Sequence, residues 1–221
     1  MARGDTIGFG LRARMATTVA LACGIAAGPL FLTVAVIQAS LRTGFDPSRH
    51  SVSLLSLGPW GWIQVTNFVV CGLFTIAAAI GIRRVFEWAT AGTLFIALGG
   101  LALVVAGIFV TGPAGGFPST LEQSNADSST LHGWVHTFAG LVAVPALGLA
   151  FISIASSFVR SNKRQVARGS RTCAVLCIVF GSPAIAVAME SPFAWFGWLV
   201  SWGWLMVVCS ACLVVLRSKP S

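Results

Sequence analysis

Residues Met15–Gln38 read MATTVALACGIAAGPLFLTVAVIQ, a run without one charged side chain. At 1.5 Å rise per residue, a helix of this length crosses the roughly 30 Å hydrocarbon core of a bilayer. A polar insert follows, GFDPSRHSVSLLSLGPWGWIQVTN at Gly44–Asn67, after which the chain turns apolar again. The same alternation recurs to the C-terminus and predicts helical spans near 15–38, 60–82, 89–110, 131–158, 171–189 and 194–216. Backbone polar groups in lipid must be satisfied within the segment, so the spans are expected as helices. No period-two alternation points to a barrel. The expected fold is all-α: one membrane domain over 1–221 with six transmembrane helices and no soluble module. The first span is longer than the 7–15-residue core of a signal peptide and lacks a clear small-x-small cleavage site, so it is expected to remain a helix.

Composition agrees. The 221 residues are 56% hydrophobic and 9% charged, with mean hydropathy +0.87. Soluble domains carry roughly 25% charged residues, so lipid must cover much of this surface. The net charge of +8 suggests a nucleic-acid partner until the cations are placed. With the N-terminus inside, the inner segments hold Arg3, Arg12, Arg14, Arg83, Arg84, Arg160, Lys163, Arg164, Arg168, Arg171, Arg217 and Lys219, leaving only Arg42 and Arg49 outside. The positive-inside rule therefore predicts an N-in, C-in, multi-pass protein of the cytoplasmic membrane. The basic excess then reads as orientation plus attraction to anionic inner-leaflet lipid, and not as a nucleic-acid surface. RSNKRQVARGSR at 160–171 reads as a solvated inner loop.

Six cysteines, Cys23, Cys71, Cys173, Cys177, Cys209 and Cys212, all fall within predicted helices among apolar neighbours. They read as packing residues and not as a disulfide framework. Trp60, Trp62, Trp134, Trp195 and Trp198 gather at the outer helix ends and Trp88 at an inner one, the pattern of an interfacial aromatic belt. Pro29, Pro145 and Pro183 lie inside predicted helices. The prolines of helices one and four would fit an inverted three-helix repeat, as in some transporters. Gly99, Gly100 and Gly107 favour close packing of helix three.

The insert is punctuated as a short helix. Asp46 suits an N-cap, Pro47 the first turn, Gly58 the C-terminal cap, and Pro59 prevents continuation. A helix over 47–57 would put Asp46, His50, Ser53 and Leu57 on one face, with Arg49 beside it. In the second span Gln64, Asn67 and Cys71 form a stripe that should face the bundle interior. His132 and His136 are four apart, the spacing used by zinc-binding helices. Asp46, Glu122, Asp127 and Glu190 are the acids on the same, outer side.

Three imidazoles, His50, His132 and His136, with a carboxylate or water would suit zinc, which lowers the pKa of its water toward 7 and could support hydrolysis of a lipid-like ester or amide. Asp46 or Glu190 would be ligand or base, and Ser53 an outer partner. The alternative is a polar cluster that hydrogen-bonds internally, binds no metal, and serves a structural or small-molecule-binding role. Haem, needing His50 opposite His132 or His136, and a small transporter are further readings.

Two strings add a resemblance. GFDPSRHSVSLLSLGPWGWIQVTNFVVCGL at 44–73 resembles the opening motif of the bacterial membrane family called domain of unknown function 998. GIFVTGPAGGFPS at 107–119, followed by LHGWVH at 131–136, is similar to that family's second motif. The resemblance covers nearly the whole chain and implies six membrane helices without an assigned reaction. It places Asp46, Arg49, His50, Ser53, Gly61, Gln64, Asn67, His132 and His136 on motif positions. Gly112 departs from it, standing where relatives tend to carry an acid before the proline.

Overall fold

The computed structural model describes the backbone of residues 2–118, 130–180 and 192–218, and the side chains of 11–118, 130–180 and 195–218. Within these residues lie six α-helices: α1 (Ala2–Leu41), α2 (Gly61–Val85), α3 (Thr90–Ile108), α4 (Leu131–Arg160), α5 (Arg164–Phe180) and α6 (Pro192–Ser218). Five of them, all but α5, are long and apolar enough to cross a membrane. The chain is thus a helical, multi-pass membrane protein. The far half of the expected fifth span, with Pro183, lies outside the described residues.

Each helix packs on the next, and α6 closes the ring by packing on α1 while touching α2 and α4. Small residues permit this closeness, since helix association in lipid depends on van der Waals fit. At the α2–α3 crossing a Cβ on Gly72 would stand 2.7 Å from the carbonyl oxygen of Gly100, and one on Gly100 would stand 2.7 Å from that of Gly72. Only glycine at both positions lets these backbones meet. Phe31 fills the centre against Phe68, Trp198 and Trp202, with ring centroids 5.1–5.5 Å apart.

The basic segment after α4 differs from the solvated loop expected at 160–171. The turn is short, with Asn162 at φ 55°, a conformation asparagine tolerates. The helix then resumes at Arg164, because RQVARGSR is amphipathic. Ala167 and Ser170 turn inward while Arg164, Arg168 and Arg171 stay exposed. Trp204 Nε1 donates to Ser170 Oγ at 3.0 Å, tying α6 to this turn. At the same end Arg14 donates to Leu216 O at 2.9 Å and Arg160 lies over the Trp88 ring.

The short helix expected at 47–57 is also replaced. Pro47–Arg49 form a turn, and a five-residue 3-10 helix covers only Val52–Ser56. Side chains compete with the helix backbone here. Asp46 Oδ1 accepts from both the amide (2.9 Å) and the hydroxyl (2.7 Å) of Ser48. His50 Nδ1 accepts the Asp46 amide at 2.8 Å. Ser51 is extended, so no continuous face joins Asp46, His50, Ser53 and Leu57.

Candidate functional site

The two resemblance-bearing strings meet at one end of the bundle. Gly115 takes φ 64° and passes so close to His50 that an added Cβ would stand 3.0 Å from its ring. His50 is buried, and its Nε2 lies 3.0 Å from Gly115 O. Because Nδ1 accepts the Asp46 amide, Nε2 carries the proton and donates. The Phe117 ring stands edge-on to Phe45 at 5.2 Å and 5.5 Å from the His50 ring. Arg42 lies over the same ring at 5.3 Å. Its guanidinium donates to Leu55 O at 3.2 Å and Leu57 O at 2.5 Å, holding the end of the 3-10 helix. Partial burial lowers its pKa, yet an arginine stays charged. The carboxyl pKa of exposed Asp46 is lowered, first by the hydrogen bonds from Ser48. On the other side of this cap, Trp195 Nε1 of α6 donates to His50 O at 3.2 Å.

Below the cap, a polar seam joins α1 to α2. Gln38 Nε2 donates to Gln64 Oε1 at 3.0 Å. Asn67 Nδ2 donates to Phe31 O at 3.1 Å and reaches Gln64 Oε1 at 3.3 Å. The Cys71 thiol lies 3.4 Å from Ala27 O and from Asn67 Oδ1. All four side chains are buried, while Gln38 Oε1 and Gln64 Nε2 have no hydrogen-bond partner among the described residues. Gln38 and Arg42 are not among the residues singled out in the sequence. The signal for Gln38 is a second carboxamide at the depth of Gln64; Arg42 read only as an outer cation.

His136 is buried against α3, with Nδ1 at 2.8 Å from both Ala106 O and Phe109 O. Only an N–H can face two carbonyls, so Nδ1 donates and Nε2 is the nitrogen left for a ligand. Among the described residues none hydrogen-bonds it. His136 walls a half-open pocket of about 240 Å³ between α4 and α6, capped by the 3-10 helix. Ser51, Ser53, Thr111 and Thr137 supply hydroxyls, and Leu141, Val144, Phe180, Trp195 and Trp198 supply apolar and aromatic walls. No charged side chain lines it among the described residues. Trp60, Trp62 and Trp134 are exposed at this end as a belt requires. Trp195 and Trp198 turn inward instead, toward the cap and Phe31.

The three histidines are not gathered at one point. Both ring nitrogens of His50 are engaged in hydrogen bonds. His132 sits one turn nearer the helix end, clears α3, and lies exposed beside the Phe109 ring at 5.2 Å. Among the described residues no group of three or more His, Cys, Asp or Glu side chains is arranged to hold a metal ion. The His50–His132–His136 zinc set therefore does not form in this conformation. Arg49 and Asp46 are exposed on the cap. Glu122, Asp127 and Glu190 lie outside the described residues. The six cysteines are free thiols.

A family profile described as Protein of unknown function (DUF998) matches residues 25–216. No curated protein and no solved structure matches the chain.

Proposed function

The chain belongs to the DUF998 family, and on that premise we propose that it is a non-catalytic binding protein of the cytoplasmic membrane. It takes the headgroup of an amphiphilic small molecule into the pocket between α4 and α6. One observation carries this reading: at the mouth of a membrane bundle, four hydroxyl residues and His136 share a recess with Leu141, Val144 and Trp198. A recess of about 240 Å³ is smaller than the roughly 300–1,000 Å³ of drug-sized sites, and so suits a headgroup whose tail stays in lipid. In this account six spans run N-in, C-in as one domain. The pocket faces outward, and Arg164, Arg168 and Arg171 meet anionic inner-leaflet lipid. The cap of His50, Arg42, Phe45 and Phe117 holds the pocket's rim, while Gln64 and Asn67 fix α2 to α1 beneath it.

Ser53→Cys tests pocket and orientation together. A membrane-impermeant maleimide added to intact cells is expected to label it, and a medium-chain alcohol to slow that labelling. Labelling only after the membrane is broken would refute the orientation. Labelling indifferent to the alcohol would refute the binding.

A further inference from the structure

We infer that the pocket selects amphiphiles whose head carries a hydrogen-bond donor, and that His136 and Thr137 read that donor. The inference rests on the pocket's being a binding site. Its basis is that two neighbouring groups in the wall have their polarity fixed from behind. His136 Nδ1–H is committed to Ala106 O and Phe109 O, both at 2.8 Å, so a neutral ring presents Nε2 as an acceptor. The Thr137 hydroxyl donates to Gly133 O at 2.9 Å within its own helix, so its oxygen also offers lone pairs outward. Both residues line the same recess. The hydroxyls of Ser51 and Ser53 rotate to suit either partner. A head with an O–H or N–H donates to one of these two fixed acceptors. An ether, ketone or ester head leaves lone pairs facing lone pairs, and desolvates a buried acceptor without return. The ligand class is a lipid-like alcohol or amide arriving from the membrane.

The test uses the full chain in lipid vesicles and a bromine-bearing pair, bromohexanol and its methyl ether. Bromine quenches tryptophan on contact, and Trp195 and Trp198 line the pocket. The saturable quenching lost in a Trp195→Phe/Trp198→Phe variant is the pocket signal. We expect the alcohol to half-saturate at about tenfold lower concentration than the ether, the effect of one buried hydrogen bond. His136→Asn keeps an N–H toward the two α3 carbonyls but removes Nε2, and should narrow the difference between alcohol and ether, with Thr137 left as the remaining acceptor. Diacylglycerol, which has a free hydroxyl, should displace bromohexanol, whereas triacylglycerol and aqueous glycerol should not. Equal quenching by alcohol and ether in the unmodified protein overturns the inference and leaves the binding reading standing. So does discrimination that survives undiminished in His136→Asn. Displacement by glycerol but not by diacylglycerol overturns the lipid-like ligand. No saturable quenching by either probe sinks the binding reading itself.

Discussion

Replacing His50 should loosen two loops at once, although they are 65 residues apart in sequence. The ring takes the Asp46 amide at 2.8 Å and donates to Gly115 O at 3.0 Å. It also packs against both Phe45 and Phe117, with ring centroids 5.3 and 5.5 Å away. Two hydrogen bonds contribute about 1 kcal/mol each, and emptying a buried ring's place costs about 1–2 kcal/mol more, scaled from larger aromatic truncations. His50→Ala should therefore cost about 3–4 kcal/mol of local stability. At about 1.4 kcal/mol per factor of ten, that is roughly two to three orders of magnitude in the opening equilibrium. Hydrogen–deuterium exchange in lipid nanodiscs reads this directly, because local opening governs amide exchange. Peptides covering 45–57 and 112–118 should both lose protection, while the α2–α3 interior does not.

His50→Asn sharpens the argument. Its Oδ1 stands where Nδ1 stood and can still accept the Asp46 amide, but it cannot reach Gly115. Protection over 45–57 should largely survive while that over 112–118 falls. If His50→Ala deprotects only the 45–57 peptide, His50 does not link the two motifs and the reasoning fails.

Three further expectations follow from other contacts. Gly100→Ala places a Cβ 2.7 Å from Gly72 O and, like other overpacked sites, should cost about 1–3 kcal/mol; thermal unfolding followed by labelling of the buried thiols Cys71 and Cys209 measures it. Either Gln38→Met or Gln64→Met alone strands polar partners and should cost about 1–2 kcal/mol, whereas the double variant should be closer to neutral; additive losses in a double-mutant cycle would contradict the seam. Asp46, whose folded pKa is lowered by Ser48, should stabilise the cap at pH values above its unfolded pKa near 3.9. That contribution is lost as pH falls through the folded value, so the stability difference from Asp46→Asn should shrink on acidification, and a carboxyl titration midpoint at or above the ordinary value would refute it.

Five of the expected spans, all but the fifth, are legible in the sequence because length and hydropathy are all that a bilayer demands of a span. Trp60, Gly61 and Leu131 mark boundaries within a residue or two of those seen. The insert was harder. Asp46-Pro47 and Gly58-Pro59 are honest punctuation, but punctuation does not reveal that Ser48 and His50 will use Asp46's own polar groups in place of a helical turn. The histidines show the same limit. A spacing of four places His132 and His136 on one stripe, yet the stripe crosses the edge of α3. Thus His136 enters the bundle and donates to two carbonyls while His132 remains outside. Pairings between distant segments, such as Gln38 with Gln64 or Arg42 with Phe117, depend on helix rotation and depth, which hydropathy does not encode.

The central claim is that an amphiphile's head occupies the pocket between α4 and α6, and α4 itself supplies the control. Gly140, Leu141 and Val144 face that pocket, whereas Val135, Phe138 and Val142 border a purely apolar groove against α3. A photoreactive diazirine placed beside the hydroxyl of a long-chain alcohol, crosslinked in vesicles and mapped by mass spectrometry, distinguishes the two faces. The account predicts adducts on Gly140, Leu141 and Val144 and on Trp198, suppressed by unlabelled alcohol. Adducts confined to Val135, Phe138 and Val142, or spread evenly around α4 and insensitive to competitor, would contradict it.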